Sequence, residues 1–305
     1  MPSPQQRLRQ LVYNTRFRAQ VWAAGRRDVP LVKPDFLGIG TARSASTWLH
    51  ARLSQHPDVY LPNLKELHFF NERREHRPCD VSGATWTRPV YFDLENPNHW
   101  RWYSRQFLPG ADKVKGEITP DYSTLSKDRV GEIKRHLPDA KIILLIRNPV
   151  DRAWSGLRYS WRRHQDEALS PADIDRLMRA ALHPERLLRG DYPLTLTNWE
   201  AHFPASQRLY IFYNDVAVQP STELRRVATF LGVDPAKLAG VGDDRRVNDA
   251  PAEHIPPAVR ERLQAYYEPQ IGWLETHFGR DLSGWLEPAP PPAPTPARPP
   301  EPTLE

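Results

Sequence analysis

The residues best suited to chemistry form a small loop between an apolar run and a helical pattern. The apolar run Phe36–Gly40 precedes the loop, which holds one cation, Arg43, among four hydroxyl side chains (Thr41, Ser44, Ser46 and Thr47). Small residues at a helix start leave backbone N–H groups and the positive end of the helix dipole available, which suits a phosphate or sulfate. A plain strand-to-helix turn with a Ser or Thr cap explains the same residues. The loop alone supports both interpretations.

Composition favours a soluble globular protein. The chain has 305 residues, 39% hydrophobic and 26% charged, and no apolar run reaches the roughly 18–20 residues of a membrane helix. Residues 1–10 are polar without an apolar export core, and Cys79 is the only cysteine. We therefore expect a cytoplasmic protein. The formal net charge of +5 suits a nucleotide, nucleic acid or acidic glycan, although a solvated basic surface gives the same charge.

Three segments differ in composition. Residues 1–33 interleave Arg with apolar side chains, which predicts a basic amphipathic helix that packs on the domain or touches an acidic surface. Residues 34–287 form the predicted domain. Residues 288–305 are Pro-rich, which predicts a polyproline-like, disordered tail. The irregular stretch 71–97 is expected to be a loop or lid.

Strand and helix patterns alternate along the domain, which predicts an α/β fold with three layers and a central parallel sheet. The continuous apolar run at 141–146 predicts a strand covered on both faces. Strands are also predicted at 36–40, 59–62, 113–118 and 209–213. Helices are predicted at 47–55, 99–107, 129–136, 149–163, 171–189, 195–203, 222–231 (stopped by Gly232) and 257–277 (broken at Pro269), with a loop at 240–255.

Polar corners follow three of these strands. They are the loop 40–47, the corner at Thr119 and the corner at Arg147. The carboxyl ends of parallel strands lie at one edge of a sheet, and ligands bind there. The three corners are therefore predicted to converge on one crevice.

Together, four motifs in order resemble the sulfotransferases that use 3′-phosphoadenosine 5′-phosphosulfate (PAPS). Residues 43–48 (RSASTW) are similar to the loop of that family that binds the 5′-phosphosulfate, and residues 65–70 (KELHFF) to a motif of its glycan-sulfating and bacterial branches. Residues 116–122 (GEITPDY) match a further motif of those branches. The apolar strand ending in Arg147-Asn148-Pro149, with Ser155 later, is similar to the segment that binds the 3′-phosphate. The resemblance covers about residues 34–280 and implies a sulfotransferase topology like that of P-loop NTPases.

The resemblance implies a donor site for PAPS and no metal. Ser46, Thr47 and the loop amides would hold the 5′-phosphate, and Trp48 would stack on adenine, although a core aromatic gives the same pattern. Arg147 and Ser155 would hold the 3′-phosphate, unless Arg147 only pairs with Asp151. The full set of donor-binding candidates is Thr41, Ala42, Arg43, Ser44, Ala45, Ser46, Thr47, Trp48, Arg147, Ser155, Tyr213, Arg245 and Arg246.

The resemblance also implies three catalytic residues. Arg43 takes the place of the family's lysine and would stabilise charge on the bridging oxygen. Glu66 takes the place of the base, with His68 positioning the acceptor or serving as base instead. Alternation on an extended segment would put the side chains of Glu66 and His68 on one face. A structural ion pair of Glu66 with Lys65 or Arg43 is the alternative.

Departures from the family pattern occur at four positions. Ala45 replaces a loop glycine, and its Cβ is expected to crowd the phosphate or oppose a left-handed backbone. Arg43 replaces Lys, Asn71 stands where some members have Asp, and Ile118 replaces the Lys of heparan-type enzymes. The last change weighs against an acidic glycan.

The predicted activity is transfer of a sulfuryl group from PAPS to a hydroxyl or amine of a carbohydrate, glycolipid or natural product. One alternative is a P-loop kinase or phosphohydrolase, against which the chain has no Gly-Lys-Ser/Thr triplet. The other is a non-catalytic nucleotide- or glycan-binding module on the same fold. A small-molecule or glycan acceptor is expected, without nucleic acid, and peripheral membrane contact stays open.

Overall fold

The computed structural model describes residues 30–72, 91–164, 174–238 and 255–287, with residues 12, 15, 16 and 18–23. Arg245 and Arg246, most of the predicted lid at 71–97, the predicted loop at 240–255 apart from its last residue, and the Pro-rich tail lie outside these residues. Within the described part of the chain, no helix is long and apolar enough to cross a membrane.

The described strands form a five-stranded sheet in which every neighbouring pair is parallel. The strand order is β2-β3-β1-β4-β5, so β1 is central and the predicted parallel α/β sheet is confirmed. The strands are β1 (Phe36–Gly40), β2 (Val59–Tyr60), β3 (Val114–Ile118), β4 (Lys141–Ile146) and β5 (Arg208–Phe212).

Helices cover both faces of the sheet. One described helix comes next after each of the strands β1, β2, β3 and β4. Of the other described helices, three lie between the helix after β4 and β5, and three follow β5. In chain order, the described helices are α1 (Ser46–Leu53), α2 (Pro97–Arg105), α3 (Lys127–His136), α4 (Pro149–His164), α5 (Ile174–Ala181), α6 (Pro184–Leu188), α7 (Tyr192–Glu200), α8 (Tyr213–Val218), α9 (Pro220–Leu231) and α10 (Pro257–Phe278).

The three-layer arrangement follows from the side-chain alternation of β4. Ile142, Leu144 and Ile146 lie in one hydrophobic core, whereas Ile143 and Leu145 lie in a second core on the other face. Successive side chains of a strand point to opposite faces, so a continuous apolar run fills both cores. The N-terminal segment contributes to the first core, where Val21 is only 5% exposed.

Three predicted elements were wrong in detail. Tyr213 begins α8 instead of ending β5, because β5 ends at Phe212, opposite the last residue of β4. Pro184 starts a new helix, so residues 171–189 contain α5 and α6 instead of one helix. Pro269 lies exposed inside the continuous helix α10, whose buried residues on both sides of Pro269 pack in one core and offset its roughly 3 kcal/mol cost.

The carboxyl ends of the strands position the predicted corners. Gly38 pairs with Ile118 of β3 and with Ile143 of β4, so the chain leaves all three strands at one edge. The loop after β1, the Thr119 corner and the Arg147 corner therefore lie along one edge of the sheet, as predicted.

Candidate functional site

The loop after β1 is fixed by a glycine and a buried pair of hydroxyls. Gly40 has φ 131°, and a Cβ there would lie 2.5 Å from the Pro120 carbonyl oxygen, so only glycine fits. The Oγ atoms of Thr41 and Ser44 lie 2.7 Å apart, and both residues are fully buried. Their hydroxyls therefore hold the loop in shape instead of facing the crevice.

The backbone of this loop leaves its N–H groups available. Thr41 N–H donates to the Leu145 carbonyl at 3.0 Å and Ser44 N–H to the Thr41 carbonyl at 3.3 Å. Within the described residues, the N–H groups of the other loop positions donate to no backbone or side-chain acceptor. These positions are Ala42, Arg43, Ala45, Ser46, Thr47 and Trp48. Such a group of donors at the start of α1 suits an anion.

Arg43 and Arg147 meet at the corner of α4. Arg43 Nε donates to Ser155 Oγ at 3.2 Å, and Arg147 Nη1 donates to the Arg43 carbonyl at 2.8 Å. The Arg43 guanidinium lies 4.6 Å from the Tyr159 ring centroid, and that of Arg147 lies 4.4 Å from the Tyr213 ring centroid. The structure thus brings Arg43, Arg147, Ser155 and Tyr213 together.

No carboxylate in the described part of the chain neutralises the charge of this corner. Among the described residues, neither Arg43 nor Arg147 forms an ion pair with a carboxylate, and Asp151 pairs with Arg260 instead. Burial lowers the pKa of Arg43, and the nearby cations Arg147 and Arg158 lower it further. A guanidinium stays protonated even so. The corner therefore concentrates positive charge that an anionic ligand would relieve.

A buried tyrosine that was not predicted from the sequence joins the loop to this corner. Tyr192 OH accepts from the Arg147 N–H at 2.9 Å and donates to the Arg147 carbonyl at 2.7 Å. It also lies 3.3 Å from Thr41 Oγ1. Tyr192 is fully buried, so these bonds fix the separation of the loop after β1 and the Arg147 corner.

The segment 65–70 brings a carboxylate and an imidazole to the same edge. Glu66 and His68 have φ 60° and φ 55°, so the expected extended alternation is wrong. Their side chains are nevertheless close, with 3.6 Å between Glu66 Oε2 and His68 Nε2. Lys65 Nζ lies 3.8 Å from Glu66 Oε1 and donates to Thr47 Oγ1 at 2.8 Å. The Lys65–Glu66 ion pair, the alternative to a catalytic Glu66, therefore exists, and Lys65 links it to the loop after β1. The role of Glu66 as base stays a prediction.

Glu117, buried in the motif GEITPDY, holds this segment in place. It accepts hydrogen bonds from Tyr103 (2.6 Å), Thr119 (2.6 Å) and Tyr122 (2.9 Å). The His68 N–H donates to Thr119 Oγ1 and the Phe70 N–H to Tyr122 OH, which links Glu117 to the left-handed segment. Burial raises the pKa of Glu117 although these donors lower it.

Asp121 extends the line of charges beyond His68. Asp121 Oδ2 lies 3.7 Å from His68 Nδ1, and its Oδ1 lies 2.9 Å from Arg189 Nη2. Sequence reasoning missed the roles of Asp121 and Arg189. The Asp121 contact could have been suspected, because the residue lies in a recognised motif at a strand end, but nothing local marks Arg189.

Trp48, a donor-binding candidate, and Ile118, a departure from the family pattern, both lie in a core. Trp48 is 7% exposed and packs in the second core, so the structure places it as the core aromatic that was weighed as the alternative. Stacking of Trp48 on adenine stays a prediction. Ile118 is 1% exposed in the same core, where its side chain lies against Gly38. The Ile118 side chain is thus part of the sheet packing.

Ala45 adopts the left-handed backbone that its Cβ was expected to oppose, with φ 71° and ψ 19°. We expect Ala45→Gly to raise the free energy of unfolding by up to about 1 kcal/mol, because relief of the left-handed strain exceeds the added entropy of the unfolded chain. Urea denaturation measures this change. Ala51→Gly, inside α1, is the matched control and should destabilise by about 1 kcal/mol. Equal destabilisation by both changes would contradict the assignment of strain.

No group of three or more His, Cys, Asp or Glu side chains in the described part of the chain is arranged to hold a metal ion. The site thus consists of N–H groups, guanidiniums, an ammonium, a carboxylate and an imidazole. This set can bind anions and move a proton.

Comparison with known proteins agrees with the motifs. Residues 34–236 match the model of the sulfotransferase family. Bifunctional heparan sulfate N-deacetylase/N-sulfotransferase 4 of Mus musculus is 28% identical over 298 residues, which cover 83% of this chain and 31% of that protein. Heparan sulfate glucosamine 3-O-sulfotransferase 6 of Mus musculus is 27% identical over 278 residues, covering 83% of this chain and 73% of that protein.

A solved structure also matches. The sulfotransferase from Alicyclobacillus acidocaldarius has a TM-score of 0.63 and 28% identity, and the match covers 84% of this chain and 99% of that one. The chain spans about a third or less of the length of the N-deacetylase/N-sulfotransferases. The family model covers about two thirds of the chain, and its span includes the loop after β1, the KELHFF and GEITPDY motifs and the Arg147 corner. The chain therefore belongs to the sulfotransferase family.

Proposed function

We propose that this protein transfers a sulfuryl group from PAPS to a hydroxyl or amine of a carbohydrate acceptor. One observation carries the proposal. Two guanidiniums, those of Arg43 and Arg147, pair with no carboxylate among the described residues, and they lie beside a loop of available N–H groups. The Glu66 carboxylate reaches this loop through Lys65, so the anion site adjoins a group that can accept a proton.

The described residues fit the donor in two parts. The loop N–H groups with Ser46 and Thr47 would hold the 5′-phosphosulfate, because N–H groups at a helix start stabilise a doubly charged anion. Arg147 and Ser155 would hold the 3′-phosphate, and Arg147 has no competing ion pair among the described residues. The hydrogen bonds of Tyr192 keep these two parts at a fixed separation.

The residues can support an in-line displacement. Glu66 would take the proton from the acceptor oxygen or nitrogen as that atom forms its bond to sulfur. The bond from sulfur to the bridging phosphate oxygen breaks, and its electron pair stays on that oxygen. Positive groups held at this oxygen stabilise the transition state more than the ground state. His68, which lies between Glu66 and Asp121, would position the acceptor or Glu66 itself.

A carbohydrate acceptor is supported by the two heparan sulfate enzymes named above. One of them is named for N-sulfation and the other for 3-O-sulfation, so both an amine and a hydroxyl stay within the proposal. The cytoplasmic location stays a prediction.

Transfer of ³⁵S label from PAPS to glycans tests the proposal. N-desulfated heparan sulfate offers amines and N-sulfated, O-desulfated heparan sulfate offers hydroxyls, both assayed in EDTA. We expect label in at least one glycan without Mg²⁺. Absence of label together with Mg²⁺-dependent phosphate transfer or release from ATP would instead support the kinase or phosphohydrolase alternative.

A further inference from the structure

Lys65 lies where a cation of the transfer reaction is needed. Its Nζ donates to Thr47 Oγ1 at 2.8 Å, at the start of α1, and lies 3.8 Å from Glu66 Oε1. The Lys65 side chain is 31% exposed, so it borders the crevice instead of being sealed in the core. An ammonium has three donors, and these two contacts leave it able to reach a further acceptor in the crevice.

Arg43 extends toward a different part of the site. Its Nε donates to Ser155 Oγ, and its guanidinium packs on the Tyr159 ring of the same helix. Ser155 and Arg147 are the residues assigned above to the 3′-phosphate. Arg147 is also bonded to the Arg43 carbonyl, so the two arginines form one cationic corner. Two contacts, with Ser155 and with Tyr159, thus hold the Arg43 side chain on the α4 side.

We propose that Lys65, not Arg43, supplies the positive charge on the 5′-phosphosulfate side of the site, and that Arg43 acts with Arg147 on the 3′-phosphate. This inference rests on the proposed function. It corrects the role expected for Arg43 from its place in the loop motif. The replacement of the family's loop lysine by arginine is then compensated by a lysine from the segment after β2.

The role proposed for Lys65 is consistent with the chemistry of sulfuryl transfer. As sulfur leaves the bridging phosphate oxygen, that oxygen gains the electron pair of the broken bond, and the Lys65 ammonium neutralises the added charge. The acceptor proton passes to Glu66, which lies beside Lys65. Lys65 therefore compensates the negative charge that grows on the bridging oxygen of the donor.

Three nucleotides distinguish the two ends of the donor. Adenosine 3′,5′-bisphosphate (PAP) carries both phosphates. 5′-AMP carries only the 5′-phosphate, and 3′-AMP carries only the 3′-phosphate. Affinities are measured by calorimetry for wild type, Lys65→Met and Arg43→Met. Two control variants remove the same charges away from the site. They are Lys237→Met, whose exposed side chain pairs with Asp58, and Arg225→Met, at an exposed position of α9.

We expect Lys65→Met to weaken PAP and 5′-AMP binding at least about tenfold and to change 3′-AMP binding less than about twofold. Arg43→Met should weaken PAP and 3′-AMP and spare 5′-AMP. Lys65→Arg should recover part of the 5′-AMP affinity, and Lys65→Gln repeats the test if the Met variant is unstable. Neither control should change any affinity by more than about twofold.

Two results would overturn the exchange of roles. One is loss of 5′-AMP affinity in Arg43→Met, and the other is unchanged 5′-AMP affinity in Lys65→Met and Lys65→Gln. Failure of the proposed function gives a different result, because wild type would then bind PAP no more tightly than 5′-AMP.

Discussion

Glu66→Gln is expected to lower kcat for sulfuryl transfer about 10²–10⁴-fold, the usual contribution of a general base. The amide cannot accept the acceptor proton, but it keeps the size of the side chain and a hydrogen-bonding oxygen for Lys65. Affinity for PAP should therefore stay within about threefold of wild type. The ³⁵S transfer assay gives kcat, and calorimetry gives the affinity.

The control for this change is Glu261→Gln, at an exposed position of α10. It removes the same charge without touching the crevice and should keep wild-type turnover. Wild-type turnover in Glu66→Gln would contradict the assignment and move the base to His68, whose Nε2 lies 3.6 Å from Glu66. His68→Asn would then abolish turnover in place of Glu66→Gln.

Glu117→Gln is expected to lower the free energy of unfolding by about 2–4 kcal/mol. The carboxylate accepts from the hydroxyls of Tyr103, Thr119 and Tyr122, and an amide nitrogen in place of either oxygen would face donors. Urea denaturation measures the loss, with Glu261→Gln as the control. A loss below about 0.5 kcal/mol would contradict the role of Glu117.

The difference in the free energy of unfolding between wild type and Glu117→Gln should change with pH in a definite direction. Burial raises the pKa of Glu117 above the ordinary value of a glutamate, so the folded state holds the proton more tightly than the unfolded state. The stability that comes from this proton is complete below the unfolded pKa and is lost as pH rises toward the folded pKa. Wild type should therefore lose stability relative to Glu117→Gln over that interval. A gain would contradict the raised pKa.

The sheet could be predicted from sequence because its strands are set by local pattern. β1 and β4 have the predicted bounds, since each apolar run ends at a glycine loop or at the charged Arg147. α9 ends before Gly232, which has φ 83° and forms the predicted stop. The prediction of a helix break at Pro269 was wrong, because the burial of residues on both sides of the proline outweighs the local tendency of proline to end a helix.

Only the parts of the site that lie in the four motifs could be predicted from the sequence. The convergence of the three corners follows from parallel topology. Glu66 and His68 are close as predicted, but the predicted reason, alternation on an extended segment, does not apply to their left-handed backbone. Their left-handed backbone could not be predicted, because it depends on Thr119 and Tyr122, about fifty positions away. The roles of Tyr192, of Arg189 and of Lys65 toward Thr47 likewise depend on contacts between distant segments.

The central claim is that the site recognises a nucleotide with both a 5′-phosphosulfate and a 3′-phosphate. Calorimetry of wild type and Arg147→Ala with PAP and 5′-AMP tests it most directly. Wild type should bind PAP at least about tenfold more tightly than 5′-AMP if Arg147, as proposed, makes a charge-assisted bond to the 3′-phosphate. Arg147→Ala should remove most of that preference and leave 5′-AMP affinity within about twofold. Equal affinity of the wild-type protein for PAP and 5′-AMP would contradict the account.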